Sequence, residues 1–551
     1  MKYILIIIVY IGCSILSCCS QSEIGQYFVR PCEFVCDYPY NDTTKWVITC
    51  RVWGLLKYYH PNITAGKLDW DEVLLDRLDD IEHSRTPEML NAELKKMLNA
   101  AGEYNYKKDA EWNDSFNMNV SLCWLEHSFL DEDMQDELKK IASLQVEYPS
   151  YYGFDVDTVR NSFELQHEKV YENIDIYASY EHRLLALFRY WNVIYYYFPH
   201  KYLMDKSWDR TLAESVFPFI NATDKQSYQI AFLKLAASLN DGHAFINFIN
   251  YYPIESQNLI ELVEEKTVIR VDRGGLFNGD IVKNIGKVDV DHIRDSLSVL
   301  TLASTQGNKE FRINCYLAEM IFFNETEVTV LRDGRELNMQ MLPVRFAKNY
   351  LSPYKWISND IGYVDLSELT TKQIDLMYLS FSGMKSIIFD LRKLGPYNFD
   401  RDLLYCYLSN KKTMRLFEMV VWDLEYPGRF GWFPNPPVEI PECPRFEGEI
   451  VFLINESSQS SLETIAWTVR TNFNATLIGR PTSGALGQVK WIPLPGNHIA
   501  TYSGVGLFSL DRVQLQRKGI IPDIEVYPTM ESIKAGKDEV LEAAIEYINN
   551  H

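Results

Sequence analysis

A serine-rich turn contains the first residues of this chain that could do chemistry. The apolar run Phe452–Ile454 predicts a buried strand, and a polar turn then leads to a helix that begins near Ser461. A serine at such a junction lies at the carboxyl edge of a sheet, where helix N–H groups can stabilise an oxyanion. Ser460 is followed three positions later by Glu463. This spacing is also typical of a helix capping box, so the segment alone leaves both interpretations open.

A serine nucleophile needs a base, and the chain contains ten histidines. His243 stands in Asp241-Gly242-His243, between a helical pattern that ends near Leu239 and the strand-like Phe245–Phe248. A neutral imidazole in such a turn can accept the serine proton. Without a partner, a turn histidine with no role remains the alternative interpretation.

The elements that would position these groups form an α/β pattern over residues 346–551. Three β-branched apolar runs, Ile361–Leu366, Ser386–Leu391 and Glu449–Ile454, are typical of strands buried on both faces. Helical patterns cover Leu462–Thr471 and Lys537–Asn549. We therefore expect a core with a central sheet and helices packed against it.

Residues 258–345 have a different pattern of short strands and turns. Thr267–Val271 alternates, Gly275–Val282 combines turn residues with a strand, and Glu327–Leu337 predicts a hairpin with an Asp-Gly turn. The size of the segment and its Gly-Asp-Ile-Val resemble a PDZ module, which would bind a peptide as an added strand. A small structural β-domain without a ligand is the alternative.

The N-terminal part contains an internal repeat, which predicts a duplicated helical hairpin. Arg51-Val52-Trp53 recurs as Arg189-Tyr190-Trp191, and Trp70-Asp71 recurs at the same offset as Trp208-Asp209. We interpret these aromatic residues as packing. The first copy lies in a helical region over 19–180, and the second, in 181–257, leads into Asp-Gly-His.

Residues 1–18 predict an export signal. Lys2 precedes the apolar run Ile4–Ile11, which is too short for a span of about 20 residues. Ile15-Leu16-Ser17-Cys18 resembles the lipobox of bacterial lipoproteins, which implies acylation of Cys18, with Cys19 as the fallback. An ordinary signal peptide with an incidental cysteine is the alternative.

Composition narrows the function classes. The formal net charge is −21 and 47% of residues are hydrophobic, which is typical of a globular protein and argues against nucleic acid as a partner. Of the ten cysteines, eight remain after Cys13 of the signal peptide and the lipidated Cys18 are left out. Eight are too few for a disulfide scaffold, although Cys32 and Cys36 are close enough for a local bridge. Since neither Cys-x-x-Cys nor His-Glu-x-x-His occurs, we predict no metal and no cofactor.

Several segments together resemble the C-terminal-processing and tricorn-type serine peptidases over roughly 184–549. Besides Asp-Gly-His and Gln459–Glu463, the resemblance rests on segments in the family order: Gly362-Tyr363-Val364, Ile388–Arg392, Ile478–Gly484, Leu494-Pro495-Gly496 and Lys518–Ile524. The resemblance implies a crotonase-like α/β core, with a PDZ-like module where the family often carries one.

The resemblance also implies the catalytic roles. One branch of the family takes its base from a lysine after the serine, but position 485 holds alanine here. The tricorn and nisin-resistance-protein branch uses Asp-Gly-His instead, which implies Ser460 as nucleophile, His243 as base and Glu463 as the supporting acid. Three serines are register alternatives for the nucleophile: Ser457, Ser458 and Ser461.

Two backbone N–H groups are the expected oxyanion donors. One belongs to Ser461 and the other to Gly395 or Leu394, since Pro396 has no N–H. The sequence thus predicts an exported, lipid-anchored serine endopeptidase of the bacterial cell envelope that hydrolyses protein or peptide substrates near their C-termini. A non-catalytic peptide-binding lipoprotein on the same scaffold is the first alternative, and an envelope- or glycan-binding lipoprotein is the second. The oligomeric state is left open.

Overall fold

The computed structural model describes residues 40–105, 116–126, 129–157, 162–248, 253–346, 352–395, 397–409, 411–434 and 436–551. The predicted signal peptide, the lipidation site Cys18 and the suggested Cys32–Cys36 bridge lie outside these residues. Pro396, at the end of the expected oxyanion loop, does too.

The N-terminal part is mainly helical. Its helices are α1 (Asp42–Tyr59), α2 (Pro61–Thr64), α3 (Trp70–Leu75), α4 (Leu78–Glu82), α5 (Pro87–Ala101), α6 (Glu132–Ala142), α7 (Tyr180–Tyr197), α8 (Trp208–Ile220) and α9 (Lys225–Ala237). Its short strands are β1 (Phe116–Met118), β2 (Asp155–Asp157), β3 (Ser162–Glu164) and β4 (Phe245–Ile246). Several helices begin at a side chain that accepts a backbone N–H, such as Asn41 at α1 and Asp224 at α9.

The two copies of the tryptophan motif make the same contacts. The indole of Trp53 donates to the carbonyl of Trp70, and Trp70 donates back to Trp53, at 3.1 and 3.0 Å. Trp191 and Trp208 form the same reciprocal pair at 2.8 and 2.9 Å. All four rings are buried and their N–H groups are satisfied. The interpretation of these residues as packing is confirmed.

The copies are also joined by exchanged ion pairs. Arg51 of the first copy pairs with Asp209 of the second, and Arg189 of the second pairs with Asp71 of the first. Both arginine side chains are buried. Because a buried charge without a partner is costly, these pairs hold α1 and α7 against the Trp-Asp helices of the opposite copy.

The next segment forms an antiparallel sheet covered by two helices. Its elements are β5 (Ile260–Val263), β6 (Lys266–Ile269), β7 (Ile281–Ile285), β8 (Val288–Asp289), α10 (Val290–Ser298), α11 (Gln306–Phe322), β9 (Thr326–Arg332) and β10 (Arg335–Met341). The sheet order is β10-β9-β7-β6-β5, with β8 on β7. The predicted hairpin is confirmed: Asp333 and Gly334 join β9 and β10 with φ of 49° and 78°. We call residues 253–346 the β-rich module.

The C-terminal part contains the remaining elements. Its strands are β11 (Tyr354–Trp356), β12 (Ile361–Asp365), β13 (Ser386–Asp390), β14 (Thr413–Met414), β15 (Glu418–Trp422), β16 (Arg429–Pro434), β17 (Val438–Glu439), β18 (Glu449–Ile454), β19 (Thr476–Gly479), β20 (Gly487–Leu494), β21 (His498–Phe508) and β22 (Ile524–Glu525). Its helices are α12 (Thr371–Ser380), α13 (Arg401–Cys406), α14 (Ser461–Phe473), α15 (Met530–Lys534) and α16 (Glu539–Asn550).

The central sheet is β11-β12-β13-β18-β19-β22, parallel from β12 to β22. Alternate residues such as Phe389 and Ile388 enter different hydrophobic clusters on its two faces, and α16 covers the second face. The three strands expected from the β-branched runs are confirmed, with ends that differ by at most one residue. Because parallel strands end at one edge, β13, β18 and β19 bring their following loops together there.

A second sheet combines strands from distant parts of the sequence, in the order β1-β16-β15-β21-β20 with β4 paired to β21. Apolar residues of β15, β20 and β21 belong to the same buried cluster as the N-terminal helices. The pairing of β4 with β21 is what carries the histidine turn to the rest of the site.

A disulfide joins Cys406, at the end of α13, to Cys443. The sequence analysis did not predict this bridge. The pairing depends on how α13 and the loop before β18 pack, which spacing along the chain does not reveal.

Candidate active site

The turn after β18 places Ser460 in a strained backbone conformation. Ser460 has φ 59° and ψ −112° and directly precedes α14. A residue with a Cβ rarely adopts a positive φ, and such strain persists where the surroundings impose it. The geometry is that of a sharp strand-to-helix turn, which presents a serine hydroxyl at the edge of a sheet.

The neighbouring serines have other roles. Ser457 and Ser458 are fully buried, and their hydroxyls donate to the carbonyls of Arg392 and Leu391, at 2.8 and 2.9 Å. Ser461 is exposed as the first residue of α14. Among the register alternatives, the half-buried Ser460 therefore fits a nucleophile best.

Glu463 lies beneath Ser460 with 1% of its surface exposed. Its carboxylate accepts the N–H of Ser460 at 3.0 Å. It also accepts four donors from the turn after β19: Thr482 Oγ1 (2.7 Å), Ser483 Oγ (3.2 Å), Gly484 N (2.8 Å) and Ala485 N (3.0 Å). Burial raises the pKa of Glu463, and these hydrogen bonds oppose the rise. Glu463 supports the serine turn from below and makes no hydrogen bond to His243.

His243 lies between α9 and β4 with 8% of its surface exposed. Its Nδ1 is 2.8 Å from Ser503 Oγ on β21, and Ser503 Oγ is 2.8 Å from Asp241 Oδ1. An ionised Asp241 only accepts, so it takes the single hydroxyl proton of Ser503. Ser503 must then accept Nδ1–H of His243. The lone pair of the neutral ring is therefore on Nε2, which is buried and has no hydrogen-bond partner among the described residues.

The electrostatic environment keeps this imidazole neutral. Burial lowers the pKa of His243 from its ordinary value, the Asp241 carboxylate opposes this, and the Arg312 guanidinium adds to the lowering. A neutral ring with a free Nε2 is the form that a general base requires.

Two hydrogen-bonded residues join the serine turn to the histidine turn. Gln459, directly before Ser460, donates to the carbonyl of Gly242, directly before His243, at 3.0 Å. Arg312 on α11 donates to the same carbonyl at 2.7 Å and to Gln459 Oε1 at 2.8 Å. Residues that are 217 positions apart thus meet at one point, so the turn that contains Ser460 lies beside the turn that contains His243.

The loop after β13 contains the expected oxyanion donors. The N–H of Leu394 donates to Gln257 Oε1 at 2.9 Å and is therefore already used. Gly395 packs so closely on Ser367 that an added Cβ would lie 2.6 Å from its Cβ and 2.8 Å from its carbonyl oxygen. Within the described residues, no hydrogen bond engages the N–H of Gly395 or Ser461. Of the two loop candidates, Gly395 is the one with an available N–H.

Comparison with known proteins matches one segment of the chain to a family. Residues 417–526 match the model described as Peptidase family S41, and this range includes Ser460, Glu463 and Ser503. This segment of the C-terminal part is therefore similar to peptidase family S41. The fold of the chain is mixed α/β and contains several sheets. His243 and Arg312 lie outside the matched range.

Solved structures are similar to this chain at low sequence identity, and mature CPAF shares its fold. Mature CPAF complexed with lactacystin has a TM-score of 0.51 and 13% identity, with 68% of this chain and 99% of that chain covered. A putative peptidase from Parabacteroides merdae ATCC 43184 has a TM-score of 0.43 and 16% identity, with 67% and 96% covered. A search of curated proteins gives no match.

Sequence reasoning did not find every residue of this candidate site. Ser503 is an ordinary strand residue in the sequence, Gln516 donates to Asp241 at 3.1 Å from a loop, and Arg312 lies in the β-rich module. A signal was present only for Asp241, since it belongs to the Asp-Gly-His motif.

The other landmarks of the sequence have structural contacts. Arg392 forms an ion pair with Asp390 and, at the other side, with Asp538. In the part of the chain that the structure describes, no group of three or more His, Cys, Asp or Glu residues could hold a metal ion. Within the same residues, no helix is long and apolar enough to cross a membrane.

Proposed function

We propose that this protein is a serine peptidase of the C-terminal-processing and tricorn type, an exported endopeptidase that hydrolyses peptide bonds near the C-termini of protein or peptide substrates. Ser460 is the nucleophile and His243 the general base. One observation carries the proposal: the strained serine turn and a neutral histidine with a free Nε2 are joined through Gln459 and Gly242.

In acylation, Ser460 Oγ attacks the carbonyl carbon of the scissile bond while His243 Nε2 takes its proton. The N–H groups of Ser461 and Gly395 stabilise the oxyanion, the former with the dipole at the start of α14. When the intermediate collapses, the C–N bond breaks and Nε2–H protonates the leaving amine. An ester of Ser460 and the acyl part of the substrate remains.

In deacylation, His243 Nε2 takes a proton from water, and the hydroxide oxygen attacks the ester carbon. The C–Oγ bond breaks, the proton returns to Ser460, and a carboxylic acid product leaves. The imidazolium that forms in each step donates Nδ1–H to Ser503 Oγ, and the Ser503 hydroxyl in turn donates its hydrogen bond to Asp241. The buried Asp241 charge therefore stabilises the imidazolium through one hydroxyl.

We extend the proposal to the finer architecture. The parallel sheet with helices on both faces supports a crotonase-like core. The six strands and two helices of the β-rich module support a PDZ-like module over 258–345. The matching tryptophan pairs support a duplicated helical hairpin.

The cellular setting is part of the same proposal. The N-terminal residues predict export and acylation of Cys18, which would attach the enzyme to the bacterial envelope. The Cys406–Cys443 disulfide supports an oxidising compartment, because such bridges are rare in the cytosol.

Labelling with a serine-reactive phosphonate tests the mechanism. The full-length chain in detergent is treated with the probe and the adduct is mapped by mass spectrometry, alongside His243→Ala. We expect an adduct on Ser460 in the parent and little in His243→Ala. His292→Ala, which changes an exposed histidine on α10, is the matched control and should label like the parent.

Absence of an adduct from a folded sample, with peptide added, would contradict the proposal. Retained peptide affinity in the same sample and in Ser460→Ala would then support the non-catalytic peptide-binding lipoprotein. An adduct on Ser460 that is independent of His243 would assign the base to another group.

A further inference from the structure

The start of α11 in the β-rich module contacts every turn of the candidate site. Ser304 Oγ accepts the N–H of Gly242 at 2.7 Å, and Thr305 Oγ1 donates to the carbonyl of Ser483 at 3.1 Å. Asn308 Nδ2 donates to the carbonyl of Glu456, in the serine turn, at 3.0 Å. The module is therefore packed against the histidine turn, the serine turn and the turn that holds Glu463.

Arg312, one helical turn beyond Asn308, makes the most central of these contacts. Its Nη2 donates to the carbonyl of Gly242 and to Gln459 Oε1, at 2.7 and 2.8 Å. These residues directly precede His243 and Ser460. A single guanidinium nitrogen thus holds the turn of the base and the turn of the nucleophile together.

The charge of Arg312 is not matched by a carboxylate. Among the described residues, Arg312 forms no ion pair with a carboxylate, and its Nε is buried without a hydrogen-bond partner. By contrast Arg294, a buried arginine of the same module, pairs with Glu310 and bonds to Asn314.

We propose that Arg312 is a positioning residue for the Ser460–His243 pair, which makes the β-rich module an integral part of the active site. The inference rests on the proposed function. The guanidinium fixes the separation of the two turns through its pair of hydrogen bonds, and its positive charge disfavours protonation of the nearby imidazole. The charged groups that face His243 are Asp241 from its own turn and Arg312 from α11.

Two substitutions separate the geometry from the charge. Arg312→Lys keeps the positive charge but cannot reproduce the planar donor geometry, whereas Arg312→Met removes both. Arg294→Met is the matched control, because it removes a buried arginine of the same module away from the site. Thermal melting of each full-length variant reports whether it is folded.

Two readouts are followed across pH in the parent and the three variants. The first is the rate at which a serine-reactive phosphonate labels Ser460. The second is the titration of the His243 imidazole by NMR of histidine-labelled protein, assigned with His243→Gln. We expect Ser460 to be labelled about tenfold more slowly in both Arg312 variants, on the pH-independent plateau of the rate profile, because charge-assisted hydrogen bonds are lost. In Arg312→Met alone, the acid limb of the labelling-rate profile and the titration of His243 should both move to higher pH, because the positive charge that disfavours protonation of the imidazole is removed.

The outcomes distinguish this inference from the proposed function. A parent protein that is not labelled refutes the proposed function. A His243 pKa that is higher in Arg312→Met but unchanged in Arg312→Lys would still support the contact between Arg312 and His243. The inference is overturned if Arg312→Met is folded and has the same plateau labelling rate and the same His243 titration as the parent. The same changes in Arg294→Met would overturn it too, because they would show a general effect of destabilising the module.

Discussion

At the residue scale, the proposed base depends on a hydroxyl that lies far from it in the sequence. Ser503 lies between Asp241 and His243, 2.8 Å from each, and sets which ring nitrogen carries the proton. The backbone N–H of Ser503 also donates to Asp241 Oδ2 at 2.6 Å. The aspartate, serine and histidine therefore form one chain of hydrogen bonds, and removal of the middle group should disconnect the charge from the imidazole.

Ser503→Ala is expected to slow peptide hydrolysis and phosphonate labelling by about 10²-fold, since an unsupported base loses part of a typical 10²–10⁴-fold contribution. Combined with His243→Ala, it should add little, because residues that act as a unit are not additive. Ser509→Ala, a buried serine directly after β21, is the control and should keep the parent rate. Equal rates for Ser503→Ala and the parent would remove Ser503 from the mechanism.

At the element scale, the loop after β13 is held on two sides. The hydroxyls of Ser457 and Ser458 bind its first carbonyls, and Gln257 of the β-rich module binds the N–H of Leu394. The Leu394 side chain also packs beside Phe311 and Cys315 of α11. The loop conformation, and with it the N–H of Gly395, thus depends on elements from both the core and the module.

Gly395→Ala tests this loop as the source of an oxyanion donor. The new Cβ would meet the backbone of Ser367, which cannot rotate away, so the loop should shift. We expect kcat to fall by about 10²-fold with a smaller change in KM, the effect of losing one oxyanion donor. Lys393→Ala is the matched control, since its exposed ion pair with Asp365 contributes little. A Gly395→Ala enzyme with normal kcat would assign the donor elsewhere.

At the scale of the whole molecule, buried histidines link stability to pH. Burial lowers the pKa of His200 to about 4, and neither ring nitrogen has a hydrogen-bond partner among the described residues. The unfolded chain takes up this proton near pH 6.5. The stability from the neutral ring is therefore complete above that pH and is lost as pH falls toward about 4, by on the order of 3 kcal/mol.

Thermal melting between pH 7 and 4 measures this loss. The parent should lose stability steeply over the interval, and His200→Gln should lose less, although its starting stability is lower because His200 packs on Phe508. His83→Gln, at an exposed position, should follow the parent curve. A curve for His200→Gln that parallels the parent would mean that His200 does not titrate in this range.

A second prediction at this scale concerns whether residues 346–551 can fold without the rest of the chain. Strands β15, β20 and β21 bury apolar residues against the N-terminal helices, so residues 346–551 alone would expose that surface. We expect this fragment to lack a cooperative thermal transition and to bind a hydrophobic dye, in contrast to the full chain. A cooperative melt with native-like near-UV circular dichroism would contradict this expectation.

The sequence alone was sufficient where the determinants are local. Runs of β-branched residues predicted β12, β13 and β18, because strands buried on both faces require continuous apolar side chains. These inferences use residues that are adjacent along the chain. The local patterns around Ser460 and His243 left their roles open, and the family resemblance of several segments together predicted them as nucleophile and base. Those two roles stay predictions.

Tertiary structure decided everything that depends on which distant residues meet. Ser503 reaches His243 because β21 pairs with β4, and Arg312 reaches Gly242 and Gln459 because α11 packs on the core. Gln257 takes the N–H of Leu394 for the same kind of reason. A hydrogen bond forms between groups brought within about 3 Å in the correct orientation, and no local pattern in either segment encodes that meeting.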